Sequence, residues 1–315
     1  MSAKVVATAF GGPEVLALID EEVGEPGPGQ VLLEIRAAGT NPIDYKLYGG
    51  ARGEDPSLLP MSLGLESSGV VLAVGDGAEG PVGPVHAGDE VIAYRAPGSY
   101  AERLLVPASA VVPKPPTLSF EEGAGLMLAG TTAVHALHAV AVTRGETLLL
   151  HGASGGVGLL AVQLAVAQGV RVIGTASEGA QAELRSLGAE PVVYGEGLVE
   201  RIRALAPDGV DAAIDSVGTD EAIDTSLELV TDRHRIATLA AAQRGLALGI
   251  LVLGGAPGAD PGNEIRSQAR LELVQLADKG LIEVRVVATY PLAQVAEAHR
   301  KLATGHTHGK IILVP

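Results

Sequence analysis

The chain has no cysteine and no tryptophan among its 315 residues, and only two phenylalanines. Without cysteine there are no disulfides, no thiolate zinc sites and no cysteine nucleophile, a composition compatible with a reducing cytoplasm. With so few aromatics, stacking platforms for bases or sugars have no supplier. Cations are scarce as well: 22 Lys and Arg stand against 37 Asp and Glu, a formal charge of −15. Such a surface disfavours nucleic acid and anionic membranes as partners, and any anionic cofactor must be held by local donors. No basic region leads into an apolar core and cleavage site at the N-terminus, so no signal peptide is expected. The least polar run, 123–142, is interrupted by Gly130, Thr131, Thr132, His135 and His138, which reads as a buried helix and not a membrane span.

Hydrophobic residues make up 47% of the chain and glycines number 42, and this length supports two domains with separate cores. The organising stretch is 146–158, Glu-Thr-Leu-Leu-Leu-His-Gly-Ala-Ser-Gly-Gly-Val-Gly. Leu148, Leu149 and Leu150 read as a short buried strand, and Leu159, Leu160, Val162, Leu164 and Ala165 begin a helix directly after the glycines. A strand, a glycine turn and a helix N-terminus bring backbone N–H groups and the positive end of a dipole to a pyrophosphate. The fingerprint Gly-x-Gly-x-x-Gly is imperfect, with Ala153 in place of its first glycine and Gly155 and Gly158 in register. A second strand about 20 residues on, 170–175, supplies the rest of the dinucleotide-binding context. Gly152, Ser154 and Gly156 also fit Gly-x-Ser-x-Gly, the nucleophile elbow of α/β-hydrolases. That reading makes Ser154 a nucleophile, with Asp215 or Asp232 and His234 or His299 as partners, but no oxyanion loop precedes it.

Residues 1–118 carry short β-like runs at 4–8, 31–37, 68–74, 90–93 and 101–106, separated by Gly and Pro turns, which predicts a barrel-like β domain. Ser119 and Glu122 form a capping box at a helix start. From there to 257 strands at 148–150, 170–175, 191–193, 212–214, 235–239 and 250–253 alternate with helices, predicting a doubly wound parallel sheet. The tail, 258–315, holds helices at 264–279 and 292–302 and strands at 284–288 and 310–314, and is expected to return to the first domain. The apolar run 246–253 is expected as an edge strand that pairs with a second copy in a homodimer. The pairs His135 with His138 and His306 with His308 lack a third ligand, so no metal is expected at either.

Taken in order, several stretches resemble the zinc-free quinone oxidoreductases of the medium-chain dehydrogenase/reductase superfamily. They are Asn-Pro-Ile-Asp at 41–44, Gly-Leu-Glu-Ser-Ser-Gly-Val at 64–70, Gly-Asp-Glu-Val at 88–91, Gly-Ser-Tyr-Ala-Glu at 98–102 and Ala-Gly-Thr-Thr at 129–132. The glycine turn, Asp-Ala-Ala-Ile-Asp-Ser-Val-Gly at 211–218 and Gly-Lys-Ile-Ile-Leu at 309–313 complete the set. The resemblance implies an α/β protein: a GroES-like β-barrel catalytic domain, 1–118 and 258–315, and a Rossmann domain, 119–257, with NADPH delivering hydride in a cleft between them. Where zinc-dependent relatives place metal ligands this chain has Asn41, Leu65 and Leu128, which cannot form a tetrahedral zinc site. The implied acceptor is a quinone or an α,β-unsaturated carbonyl, which delocalises the incoming charge itself. Asn41 is a candidate donor to its oxygen or to the carboxamide. Tyr45 and Tyr48 are candidates for lining the site or giving a proton, although Lys46 and Tyr48 stand where the family has a tyrosine and an arginine.

For the cofactor the resemblance implies contacts from Thr131, Ser154, Gly155, Gly156, Val157, Ser177, Gln181, Tyr194, Val217 and Lys310. The second strand ends at Ala176 and Ser177, not at the acidic residue of an NAD site, which favours NADPH over NADH. Gln181 replaces the family's lysine, Glu178 opposes a phosphate, and Arg185 is the nearest cation. Asp211 and Asp215 are expected as turn residues near the cofactor. Three alternatives stay open: an enoyl reductase of the same superfamily, a non-catalytic NADPH-binding protein and the Ser154 hydrolase.

Overall fold

The computed structural model describes all 315 residues. They fall into two compact units: Met1–Leu128 with Arg270–Gly280 and Val284–Pro315, and Ala129–Ala269 with Leu281–Glu283. Two of the four chain crossings, at 128/129 and 269/270, lie inside helices, Phe120–Ala139 and Asn263–Asp278. No helix is long and apolar enough to cross a membrane.

The first unit is built on the ten-residue strand Gln30–Gly39. It pairs antiparallel with Glu66–Val74, Arg103–Pro107 and Lys310–Val314. Register shifts at Leu32/Leu33 and Ile35/Ala37 mark β-bulges against Glu66–Val74, and bulges of this kind bend and twist a long strand. Beyond it the sheet continues through Glu90–Tyr94 to Val111–Pro113 on one side and to Val286–Pro291 on the other. The tail strands therefore complete the first unit's sheet. A smaller sheet holds Leu16–Glu21, Ser2–Ala7 and Met61–Ser62. Inside this β framework sits a helix that the β-like pattern did not foretell, Pro42–Tyr48. Pro42 at its first position has no N–H to satisfy, and the Asp44 carboxylate accepts the Asn41 N–H at 2.8 Å.

The second unit is a six-stranded parallel sheet in the order Glu190–Val193, Arg171–Ala176, Thr147–His151, Ala212–Asp215, Ile236–Thr238, Leu251–Val252. All six strands lie where the pattern placed them. Leu148, Leu149 and Leu150 have no solvent exposure, because a parallel sheet is covered on both faces and its central strand reads as an unbroken apolar run. The strand order reverses between Thr147–His151 and Ala212–Asp215, which creates the crevice where ligands of such sheets bind. The capping box is present: Ser119 N–H donates to Glu122 Oε2 at 2.8 Å and Glu122 N–H to Ser119 Oγ at 3.1 Å. The long edge strand expected over 246–253 is not. Residues Ala242–Leu248 are helical, Gly249 ends the helix at φ +70°, and the strand is only Leu251–Val252. Apolar residues at 246, 248 and 250–253 follow each other across a helix cap, so hydrophobicity is continuous where structure is not. Pairing of two copies through a long apolar edge loses its basis.

Candidate functional site

The glycine turn is shaped by side chains that are missing. Gly152 has φ +73°, and a Cβ there would lie 2.6 Å from Val217 Cγ2 and 2.7 Å from Ser216 Oγ. A Cβ on Gly158 would stand 2.3 Å from the Gly152 carbonyl oxygen, so the helix Gly156–Ala167 starts in contact with the strand end. Its first turn carries no carboxylate, which leaves the positive end of the dipole uncompensated. Ala153 in the first-glycine position is accommodated by Gly174 on the next strand, where a Cβ would fall 2.7 Å from the Ala153 methyl. The required gap has moved from the turn to its neighbour, and the imperfect fingerprint keeps its geometry.

The rest of this edge is tied by hydrogen bonds between strand ends. Asp215, fully buried, accepts the N–H groups of Val217 and Gly218 at 2.9 and 2.8 Å and the Thr238 hydroxyl at 2.7 Å. It is the last residue of the strand Ala212–Asp215, not a turn residue, and it ties down the turn that holds Val217, 48% exposed, beside Gly152. Ser216 Oγ donates to the His151 carbonyl at 2.6 Å. The His151 ring is buried, with Nδ1 3.3 Å from Thr175 Oγ1, and burial pulls it down to about 4 against the opposing pull of Asp215. It is a neutral imidazole at physiological pH.

At the end of the second strand, Ala176 is its last residue and Ser177 precedes a short 3-10 turn, Glu178–Ala180. Arg185 donates to Gln181 Oε1 at 3.2 Å. This points the Gln181 amide nitrogen inward, where it has no partner. Tyr194, 44% exposed, belongs to a loop gathered by Arg201, whose guanidinium donates to the carbonyls of Val193, Gly195 and Glu196 at 2.7–3.2 Å. Ser154, Gly155, Gly156, Val157, Ser177, Gln181, Tyr194 and Val217 thus lie at or beside the C-terminal ends of neighbouring strands. Thr131 is fully buried in Phe120–Ala139. On that helix His135 sits 3.1 Å from Asp260 Oδ2, a tether for the loop after the last sheet strand.

In the first unit Asn41 and Leu128, two of the three positions expected to stand in place of zinc ligands, meet on a carboxylate that sequence reasoning passed over. Glu66 is fully buried. Its Oε1 accepts from Lys310 Nζ and Asn41 Nδ2, both at 2.9 Å, and its Oε2 from the Leu128 N–H at 2.7 Å. Lys310 also donates to the Thr40 carbonyl at 3.0 Å and Asn41 Oδ1 at 2.7 Å. Gly39 makes room, since a Cβ there would press 2.7 Å from Glu66 Oε1 and 2.2 Å from the Ala124 carbonyl. One expectation is corrected. Lys310 does not extend toward a cofactor: all three ammonium protons are spent inside this node, and it is 5% exposed. The Asn41 side chain joins the same node. The available signal was a glutamate inside the buried strand Glu66–Val74, a position rarely charged unless paired.

Tyr45 is half-buried, and burial raises its phenol. Tyr48 is corrected: it is 1% exposed and its hydroxyl lies 2.9 Å from His299 Nδ1, so it belongs to the core and not to a substrate face. On a helix starting at Pro42, residues 44 and 48 share the inward face, and Tyr45 packs half-buried against the same core.

Comparison with known proteins agrees with this architecture. Residues 27–116 match the alcohol dehydrogenase GroES-like domain and residues 187–313 the zinc-binding dehydrogenase family. A quinone oxidoreductase of Pseudomonas aeruginosa is 36% identical, with 100% of each chain covered. Among solved structures, Escherichia coli quinone oxidoreductase complexed with NADPH has a TM-score of 0.86 at 30% identity, covering 99% of this chain and 100% of that one. A mycobacterial protein complexed with NADPH has a TM-score of 0.85 at 33% identity, with 100% of both chains covered. The hydrolase reading fails on this kinship and on backbone geometry, since the left-handed residue of the turn is Gly152 and Ser154 has no positive φ. A GroES-like β unit, a parallel sheet with its glycine turn at the switch point and full-length likeness to these enzymes place the chain, an oxidoreductase, in the zinc-free quinone oxidoreductase family of the medium-chain dehydrogenase/reductase superfamily.

Proposed function

We propose that the protein is a zinc-independent, NADPH-dependent oxidoreductase that reduces a quinone or an α,β-unsaturated carbonyl. The observation that carries the reading is the cradle at the switch point: a Cβ at Gly152 or Gly158 would fill it, and no acidic residue stands at Ala176. The NADPH bound to the relatives from Escherichia coli and mycobacteria supports the same cofactor. When bound, NADPH supplies a hydride.

The chain's own contribution is binding and orientation. The N–H groups of the first turn of Gly156–Ala167 are assigned to the pyrophosphate, since those of Gly152, Ala153 and Gly155 are used within the turn and its neighbouring strand. Gln181, Arg185 and Tyr194 are assigned to the 2′-phosphate end, with Ser177 beside them. In the β unit, Asn41 commits one amide proton to Glu66, while the other makes only a 3.4 Å contact with the Gly39 carbonyl. That second proton is the donor assigned to an oxygen that gains negative charge. The carboxamide and two leucines at positions 41, 65 and 128 offer no ligand set for zinc, so the acceptor must delocalise the charge itself. Quinones and enones do so.

The test is a fluorescence titration of NADPH, then NADH, into the protein, followed by 1,4-benzoquinone and a simple enone. Tight NADPH binding and oxidation by either acceptor is the expected result, and the faster acceptor identifies the chemistry. Binding without turnover over a broad acceptor panel would favour a non-catalytic NADPH-binding protein. Absence of nucleotide binding would end the assignment.

A further inference from the structure

Asp44, Tyr100, His299 and Tyr48 form an unbroken hydrogen-bond chain through the core of the β unit. Tyr100 Oη lies 2.8 Å from Asp44 Oδ2 and 3.2 Å from His299 Nε2, and Tyr48 Oη lies 2.9 Å from His299 Nδ1. None of the four is more than 1% exposed. The imidazole stacks on Tyr48 at 5.7 Å and meets Tyr100 edge-on at 5.6 Å, so its ring is fixed in place.

Each phenol carries one proton and a neutral imidazole one N–H, so the chain has two arrangements of opposite direction. With Asp44 ionised, Tyr100 donates to Oδ2, His299 donates from Nε2 to Tyr100, and Tyr48 donates to Nδ1, so each proton has an acceptor. With a proton on Oδ2, Asp44 donates to Tyr100, Tyr100 to Nε2, and His299 donates from Nδ1 to Tyr48, whose own proton turns out of the chain. Oδ1 has no partner, so a proton there would be left without an acceptor while one on Oδ2 finds the Tyr100 oxygen.

We propose that Asp44 is a proton-set positioning residue: gaining or losing its proton reverses the whole chain, swaps His299 between its two neutral tautomers and changes the acceptor offered to the Asn41 N–H. The surroundings make Asp44 the member that titrates. Lys310 favours its charge but is already paired with Glu66, which opposes it, leaving Asp44 the uncompensated carboxyl of the cluster. Burial pushes it up to about 7, against the lowering effects of Tyr100, the Asn41 N–H and Lys310. Burial holds His299 down at about 4, and no other group offsets that. Both tyrosines are raised by burial, with Asp44, Glu14 and Tyr45 adding to Tyr48 and Arg300 opposing, and Asp44, Glu66 and Tyr48 adding to Tyr100.

The test follows histidine side-chain nitrogens by long-range 1H–15N correlation in the full chain from about pH 5.5 to about pH 8.5. His299→Gln assigns the signal. His299 is expected to pass from Nδ1–H to Nε2–H with a midpoint near 7. Asp44→Asn is expected to fix Nε2–H throughout, since the carboxamide oxygen accepts from both Asn41 and Tyr100, and Tyr100→Phe to uncouple His299 from pH. One tautomer across the range in the unaltered protein, or a switch that persists in either variant, would overturn the proposal. The consequence for turnover rests on the proposed role of Asn41. There kcat/KM is expected to show a step near 7 that Asp44→Asn removes, whereas a merely structural loss would lower activity evenly at all pH. The tautomer readout needs neither cofactor nor acceptor, so its failure and a failure of the proposed function are separable.

Discussion

The glycine turn of the parallel sheet and the Glu66 node of the β unit solve opposite problems. In the turn, geometry comes from absent atoms: the Cβ positions of Gly152, Gly158 and Gly174 are taken by neighbours, and the donors left over are backbone N–H groups. In the node, geometry comes from charges buried together: Lys310, Glu66 and Asn41 satisfy one another across 25 to 269 residues of sequence. The first arrangement leaves backbone donors at the helix start. The second is closed, and its cohesion depends on every partner being present. A turn of this kind tolerates substitutions that add no atoms, while a closed polar node tolerates none that remove a partner.

The sharpest way to break that comparison is Lys310→Met. It strands a fully buried carboxylate, and loss of one partner of a buried pair costs about 3–5 kcal/mol; denaturant unfolding measures it. The double variant Lys310→Met with Glu66→Gln is expected to recover a large part, because no uncompensated charge remains. A loss as large in the double variant would mean that the node matters for shape and not for charge. Next comes Gly158→Ala. Its Cβ meets backbone, which cannot rotate away, so a cost of about 1–3 kcal/mol is expected. NADPH affinity should fall about tenfold or more as the N–H groups shift. Unchanged affinity would refute the cradle as the pyrophosphate site.

The two regions also differ in how far the sequence revealed them. Strand, glycines and helix lie within residues 146–168, and local periodicity with glycine spacing was enough to place the turn and all six strands of its sheet. The compensating Gly174 was invisible, since only pairing of Thr147–His151 with Arg171–Ala176 brings it against Ala153. The node was not legible because Lys310 meets Glu66 only once the last strand joins Gln30–Gly39. The strand that follows Glu66 is a local hint of its burial, whereas Asp44 reads as an ordinary acid in an acidic chain. Tyr48 was misassigned for the same reason: its partner, His299, is 251 positions away. The apolar run 246–253 failed differently, through a helix cap at Gly249 that hydrophobicity alone conceals.

A smaller effect tests the open region at its ribose end. Arg185 orients Gln181 from an exposed position. Removing it as Arg185→Ala should weaken NADPH about tenfold, as for the loss of one charge-assisted hydrogen bond to a phosphate, and leave NADH unchanged. Equal losses for both nucleotides would assign Arg185 to the loop and not to the 2′-phosphate.

The smallest effect contrasts the buried pair with one near the surface. Glu146 and Arg235 form a two-pronged ion pair, 2.7 and 2.8 Å, with side chains about a quarter exposed. They stand at the opposite ends of their strands from the glycine turn, just before Thr147–His151 and Ile236–Thr238. The Arg235 hydrogen bonds, joined by the Thr143 N–H, hold the Glu146 carboxyl down at about 2 against an ordinary 4.5. A lowered carboxylate contributes stability that is present above its unfolded value and fades as pH falls from about 4.5 toward about 2. Solvent screening limits the contribution to about 1 kcal/mol. Glu146→Gln should therefore lower stability by that amount at pH 7 and match the parent protein near pH 2. Asp44 runs the other way. Its raised carboxyl favours the neutral form, so its cost to stability grows as pH rises from about 4 to about 7, and Asp44→Asn should gain on the parent over that interval. Opposite slopes from two acids in one chain, read by unfolding at a series of pH values, would separate the buried carboxyl from the screened one without reference to turnover.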